Sequence, residues 1–305
     1  MYKLPKKLEK GDLIRIVAPA KAIEEKYVLF AKKVLENAGL KVDISEHCLG
    51  QYHYFSGSIA ERLNDFQRAI DDPKVAAILC ARGGYGSVQL IDKIDWKNFN
   101  ANPKWIIGFS DITVFHQRLA CMNIGSIHAT MPLNFQENTP EAINTLLFSL
   151  ENSRQPLIQV AGDAFNVKGE AEGYLSGGNA SIVYSMLGTN DHPDYTGSIL
   201  FLEDLSEQLY HIDRIFHALK KSGVLKQING LIIGGMTDMK DTSNPFGLLL
   251  EDIILSHTED YQIPVAFNFP AGHINDNRAL VFGDVVKLSV NAELCTLQSI
   301  EKTKE

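Results

Sequence analysis

The chain has 305 residues, 45% apolar and 22% charged, with 29 basic against 37 acidic side chains for a net charge of −8. That is the profile of a globular protein with length for two domains, each with its own core. No basic run and no long apolar run interrupts it, so neither nucleic acid nor a membrane is an expected partner: the first needs concentrated Lys and Arg, the second about 20 uninterrupted apolar residues.

In chain order, Leu13–Ala18 reads as a strand ending at Pro19. Glu24–Asn37 has helical periodicity and stops at Gly39, whose freedom to adopt positive φ ends helices. Lys41–Ser45 is a second strand, and residues 47–58 form a polar loop rich in Tyr and Gly. Ala60–Ile70 is helical. Val75–Ala81 is a third strand running into Arg82-Gly83-Gly84-Tyr85-Gly86, with a short helix over Ser87–Ile94. After Lys104, Trp105-Ile106-Ile107-Gly108-Phe109 is a fully apolar strand that stops at Ser110, and Ile112, Val114, Phe115, Leu119 and Met122 follow with helical spacing. Gly125–Ala129 is a fifth strand. Strand–helix alternation with short loops argues for a parallel, doubly wound sheet. Residues 136–165 change to polar, Pro- and Gly-containing connections around one short helix. The expected division is therefore 1–138, a connection over 139–165, and a second α/β unit over 166–305. In that unit Gly173–Leu175 leads into Ser176-Gly177-Gly178-Asn179 and a helix. Ser198–Leu202 is a strand ending at Glu203-Asp204. Ser206–Lys221 is an amphipathic helix, Gly230–Gly234 a strand, Phe246–Ser256 a helix, and Val265–Phe269 a strand running into Pro270-Ala271-Gly272-His273. Residues 278–292 read as a terminal hairpin or strand pair.

The opening MYKLPKKLEKGD has no apolar signal core. Four scattered cysteines (Cys48, Cys80, Cys121, Cys295) without a CxxC fit a reducing compartment, with Cys80 and Cys121 packed as small hydrophobes. A cytoplasmic location is expected.

Three polar residues stand just past the carboxyl ends of predicted strands: Ser110, Glu203 and His273. A serine hydroxyl needs a base to take its proton, imidazole titrates near neutral pH, and a carboxylate orients the ring. Strand, sharp turn and helix push Ser110 out where ligands gather in α/β sheets, with the Asp111 N–H beside it. Each residue also has a plainer reading. Ser-Asp is an ordinary helix N-cap, Glu203-Asp204 can open a helix, and a loop histidine commonly bonds backbone. Spacing alone does not separate Glu203 from Asp204. His116 and His128 are rival imidazoles. The Arg82–Gly86 turn fits neither a dinucleotide nor a P-loop fingerprint. Its glycines offer either a tight turn or a second oxyanion N–H at Gly84. Ser176–Asn179 is read as close packing at the domain interface. His211 and His217, six apart on one helix, do not share a metal face, and neither HExxH nor an acidic cluster is present. No metal is expected.

Taken together, ARGGYG (81–86), IIGFSDIT (106–113), GYLSGGNASIVYSMLGT (173–189), LFLEDLSEQLYHIDR (200–214) and the Gly-His at 272–273 resemble the LD-carboxypeptidases, serine peptidases that include murein tetrapeptide carboxypeptidases and microcin C immunity peptidases. The resemblance spans about Asp12 to Ala292. It implies a flavodoxin-like N-terminal domain and a C-terminal α/β domain of the family's own type. It also implies a Ser110–His273–Glu203 triad, an oxyanion hole from the N–H groups of Gly84 and Asp111, and a cytoplasmic homodimer without cofactor. The implied substrate is a murein tetrapeptide, cut between meso-diaminopimelate and D-Ala; a peptidyl-aminoacyl nucleotide is the alternative, and a non-catalytic small-molecule binder a third reading. Arg82 and Tyr85 are candidate substrate contacts, Arg82 as a carboxylate clamp. One departure stands out: the turn after the first strand is Pro19-Ala20-Lys21, where the family pattern is of the Pro-Ser-Ser type.

Overall fold

Short apolar runs bounded by Gly, Pro and Asp become strands, and the helices between them bury one face each. In the computed structural model, which describes residues 2–300, the first half runs β1 (Leu13–Val17), α1 (Glu25–Asn37), β2 (Lys41–Ile44), α2 (Ile59–Asp71), β3 (Val75–Cys80), α3 (Lys97–Ala101), β4 (Trp105–Gly108), α4 (Thr113–Cys121) and β5 (Ser126–His128). These strands are parallel in the order β2-β1-β3-β4-β5. That is the flavodoxin-like order, in which the winding reverses between β1 and β3. Alternation sends Ile14, Ile16, Leu79 and Ile107 to one face, where they meet Val28, Ala31 and Leu35 of α1. Val17, Ile78, Cys80 and Ile106 line the other face, against Phe66 of α2 and Phe115 and Leu119 of α4. Phe66 and Phe115 stack with centroids 4.5 Å apart.

The second half continues with α5 (Pro140–Asn152), β6 (Ile158–Ala161), β7 (Gly169–Asn179), α6 (Ala180–Met186), β8 (Ser198–Leu205), α7 (Leu209–Lys221), α8 (Val224–Gln227), β9 (Gly230–Thr237), α9 (Leu250–Thr258), β10 (Val265–Ala266), β11 (Leu280–Phe282), β12 (Val285–Val290) and β13 (Leu294–Ser299). Seven of these strands form a second sheet, ordered β10-β9-β8-β7-β12-β13-β6. It is parallel from β10 to β7 and antiparallel beyond. α7 buries Ile212, Ile215, Phe216 and Leu219 against it, each contributing about 1.5–3 kcal/mol of transfer free energy.

Several boundaries differ from the sequence reading. The expected strand pair over 278–292 is divided between the sheets: β11 joins the first, antiparallel to β5, while β12 pairs with β7 and with β13. Gly283, at φ +88, makes the turn that separates them. The helix expected over 87–94 is two 3₁₀ turns, Ser87–Gln89 and Ile91–Lys93. The short span closes with i→i+3 bonds, Leu90 N donating to Ser87 O at 3.0 Å and Lys93 N to Leu90 O at 2.8 Å. Residues 139–165 serve both sheets: α5 gives Leu146 and Leu150 to the first core, and β6 is the edge of the second sheet. Cys80 is buried as expected, but Cys121 is exposed, because the last residue of α4 faces outward.

Candidate active site

β4 is buried at every residue and delivers Phe109 in extended conformation, after which the chain reverses at Ser110, whose φ is +62. A left-handed serine costs about 1–2 kcal/mol, and strain of this kind gathers at functional sites. A 3₁₀ turn, Ser110–Ile112, then leads into α4, and the serine hydroxyl caps neither segment. Of the two readings open for Ser-Asp, the N-cap is therefore not the one adopted.

The Arg82–Gly86 loop packs directly on this turn. A Cβ on Gly83 would lie 3.2 Å from Ser110 Oγ and 3.2 Å from Asp111 N. Gly84 and Gly86 adopt φ of +104 and +146, which side chains rarely tolerate. The Asp111 carboxylate reaches back and accepts from Ser87 N at 2.9 Å. Burial pushes this carboxyl above the usual carboxylate range, against the Ser87 hydrogen bonds. The residue after the serine thus fastens the glycine loop to it. Arg82 is half-buried, with Nη1 donating to Ala22 O at 3.0 Å. Tyr85 is half exposed, its ring 6.3 Å from Phe55.

From the second sheet, alternation along β8 points Glu203 and Asp204 to opposite sides. Glu203 is fully buried, and its Oε2 meets His273 Nδ1 at 2.6 Å and His273 N at 3.2 Å. Asp204 instead binds Asn179 Nδ2 and the N–H and hydroxyl of Ser181, at 2.8–2.9 Å, at the start of α6. The His273 loop is held by Gly272 N donating to Asn277 Oδ1 at 2.8 Å and Thr237 Oγ1 donating to His273 O at 3.0 Å. Gly272 has φ +107, and a Cβ there would come within 2.7 Å of Glu203 Cβ.

The two halves meet at Phe109, whose ring contacts that of His273 edge-on at 4.9 Å between centroids. The structure thus joins Glu203 to His273 and brings the imidazole against the residue preceding Ser110. It draws no hydrogen bond between the hydroxyl and the ring, a bond that in ligand-free enzymes is often long and tightens around substrate. Burial alone would lower the His273 pKa; the charge and hydrogen bond of Glu203, with Asp204 behind, outweigh it and raise the pKa above the ordinary histidine value. The rival imidazoles are core residues. His116 bonds Ser126 Oγ and Gly108 O, and burial lowers it to about 4. His128 is buried among Phe109, Phe201 and Phe282, and burial holds it well below its usual value.

The Ser176–Asn179 segment is the end of β7, and it lets the second sheet touch α4. Gln117 Nε2 donates to Gly177 O at 3.0 Å, Asn179 N donates to Thr113 Oγ1 at 3.0 Å, and a Cβ on Gly178 would collide with Thr113. One organiser escaped the sequence reading. Arg62 on α2, 2% exposed, donates to the carbonyls of Gly57, Pro19 and Gly86 and to Gln89, and lies 4.4 Å over the Phe55 ring. Its signal was an arginine in register with Phe66, Ala69 and Ile70 on the apolar face of α2.

Among the described residues, one trio has metal-ligand geometry: Asp213, His217 and His257, with ligand atoms within 4.8 Å of one another. It lies on α7 and α9, which carry no triad candidate, and the Asp213 carboxylate accepts from His257 Nε2 at 2.8 Å. Spacing along α7 relates His217 only to His211; its partner His257 comes from α9. A hollow of about 650 Å³ is lined by Lys3, Lys7, Lys74 and Lys104 at the amino ends of the first sheet's strands, opposite to the serine. No described helix is long and apolar enough to cross a membrane.

Residues 14–129 match the LD-carboxypeptidase N-terminal domain and residues 172–288 the LD-carboxypeptidase C-terminal domain. The probable murein peptide carboxypeptidase of Bacillus subtilis is 31% identical over 298 residues, covering 92% of this chain and 89% of that protein. The murein tetrapeptide carboxypeptidase of Pseudomonas aeruginosa is 30% identical over 296 residues, covering 91% and 93%. Among solved structures, the muramoyltetrapeptide carboxypeptidase from Oxalobacter formigenes superposes with a TM-score of 0.85 at 26% identity, covering 95% of this chain and 99% of that one. MccF in complex with glutamyl sulfamoyl guanosine shares the fold, with a TM-score of 0.85 at 21% identity over 97% and 98%.

Proposed function

Because this chain belongs to the LD-carboxypeptidase family, we propose that it is a serine carboxypeptidase that removes the terminal D-Ala from murein tetrapeptides, cutting after meso-diaminopimelate. The supporting observation is the 2.6 Å contact of His273 with buried Glu203, on a ring that packs against the neighbour of a left-handed Ser110. With Nδ1–H committed to the carboxylate, the Nε2 lone pair is free to take the Ser110 proton. Ser110 Oγ attacks the carbonyl, and the N–H groups of Gly84 and Asp111 hold the oxyanion. His273 then protonates the departing amine, and water, activated by the same imidazole, hydrolyses the acyl-enzyme. The relatives named as murein peptidases favour this substrate.

A second reading, cleavage of a peptidyl-aminoacyl nucleotide, draws on exposed rings that suit a base: Tyr52 (54% exposed), Tyr54 (42%) and Tyr85 (50%). The purified protein is to be incubated with a disaccharide tetrapeptide and, separately, with an aminoacyl sulfamoyl nucleotide, and both followed by mass spectrometry. Loss of one D-Ala from the tetrapeptide, abolished in Ser110→Ala together with fluorophosphonate labelling, is the expected result. Release of the nucleotide alone selects the second reading. Unlabelled parent protein that binds either compound unchanged makes it a binding protein.

A further inference from the structure

A carboxypeptidase must select substrates that end in a free carboxylate, and the cation favoured by sequence is only partly committed to backbone, its Nε buried without a partner. Arg82 spends Nη1 on the carbonyl of Ala22. The carbonyl it holds belongs to the turn after β1, and the preceding residue in that turn is Lys21. We propose that Lys21 anchors the terminal carboxylate of the substrate; the proposal rests on the carboxypeptidase reading of the same site.

The observations converge on Gly84. A Cβ built there would lie 3.2 Å from Lys21 Cβ, 3.5 Å from Lys21 Cδ and 2.8 Å from the Tyr54 hydroxyl. The lysine stem therefore runs along the glycine that supplies an oxyanion N–H, and its Nζ sits 5.0 Å from the centre of the Tyr54 ring. No carboxylate forms an ion pair with it among the described residues, although the chain is acidic overall. Backbone on both sides fixes its origin: Ala22 N donates to Tyr54 O at 3.1 Å, and Ser56 N to Ala20 O at 3.1 Å. From a scissile carbonyl carbon to the carboxylate carbon of the last residue is three bonds, at most about 4 Å. A hydrogen-bonded ammonium then stands about 3 Å further on. A lysine rooted beside the oxyanion loop has that reach. The chemistry selected is an α-carboxylate one residue beyond the cleaved bond.

The test compares a tetrapeptide ending in D-alanine with the same peptide ending in D-alaninamide, for the parent, Lys21→Met, Lys21→Arg and Arg82→Gln. The parent is expected to prefer the acid. Lys21→Met is expected to lose about 10- to 100-fold in kcat/KM on the acid, mainly through KM, as removal of a charge-assisted hydrogen bond does. It loses little on the amide, and Ser110 labelling by fluorophosphonate is unchanged. Lys21→Arg recovers part of the preference, and Arg82→Gln lowers both substrates alike by loosening the turn. If Lys21→Met keeps the parent's preference, or falls equally on acid and amide, the proposal is overturned. A parent protein that is neither labelled nor active on the acid overturns the peptidase reading itself, before any lysine variant is made.

Discussion

Gly83 is the most direct handle on the proposed oxyanion site. Its φ lies outside the left-handed range, so alanine meets no backbone penalty there, unlike at Gly84 and Gly86. The added methyl would sit 3.1 Å from Ser110 Cβ and 3.2 Å from both Ser110 Oγ and Asp111 N. These contacts are a few tenths of an ångström too close, so the serine turn must shift slightly, at an overpacking cost of about 1–3 kcal/mol. Catalysis has less room to give. A substrate oxyanion must come within about 2.7–3.1 Å of its donors, and loss of one donor costs about 10²- to 10³-fold in kcat. Gly83→Ala is therefore expected to lower kcat by that factor while melting within several degrees of the parent. The assay pairs D-Ala release with a thermal melt and fluorophosphonate labelling. A folded Gly83→Ala enzyme with kcat within threefold of the parent would refute the placement of the oxyanion beside Asp111.

Other outcomes follow from the same geometry. The raised His273 pKa keeps the imidazole protonated above pH 6.5, so the acidic limb of kcat/KM is expected above that value. Glu203→Gln removes the charge and bond that raise it and leaves the burial that lowers it. The limb should then move to lower pH, with a rate loss of about 10³- to 10⁴-fold; a limb that stays put means His273 is not the titrating base. Gly272→Ala adds left-handed strain of about 1–3 kcal/mol to a 2.7 Å clash with Glu203, so it should lower the melting temperature by several degrees and displace the imidazole; parent-like melting and activity contradict the described loop. Arg62→Met leaves the carbonyls of Gly57 and Pro19 without their side-chain donor and takes one of two donors from Gly86, which keeps Gln89 N, and should cost about 2–4 kcal/mol in urea denaturation; an unchanged midpoint would show that these bonds do not hold the loops.

Periodicity was enough to read the alternation of strands and helices, because each strand of the first sheet is a short apolar run closed by a turn residue. The candidate site was legible as three positions at strand ends, since chemistry collects there. What joined them was not local. Choosing Glu203 over Asp204 requires knowing which face of β8 looks toward His273, and adjacent residues on a strand differ in that alone. Lys21 carries no motif, and its meaning depends on Gly84, 63 positions away in the chain and adjacent in space. Leu280–Phe282 is too short to announce which sheet it joins, and only pairing with residues 126–128 decides it. His217 likewise acquires its neighbours from α9, beyond the reach of a single-helix spacing argument.

The three-residue strand β11 has a consequence for how the molecule is made. It begins seven residues beyond His273 and hydrogen-bonds to β5, which β4 and β3 separate from the first strands made, β1 and β2. During synthesis the serine-bearing layer keeps a bare border until some 280 residues have emerged. A gene fragment ending near residue 138 would leave that border permanently uncovered and prone to self-association. Once stitched, the same thread ties the segment that follows the histidine loop to the serine's own sheet.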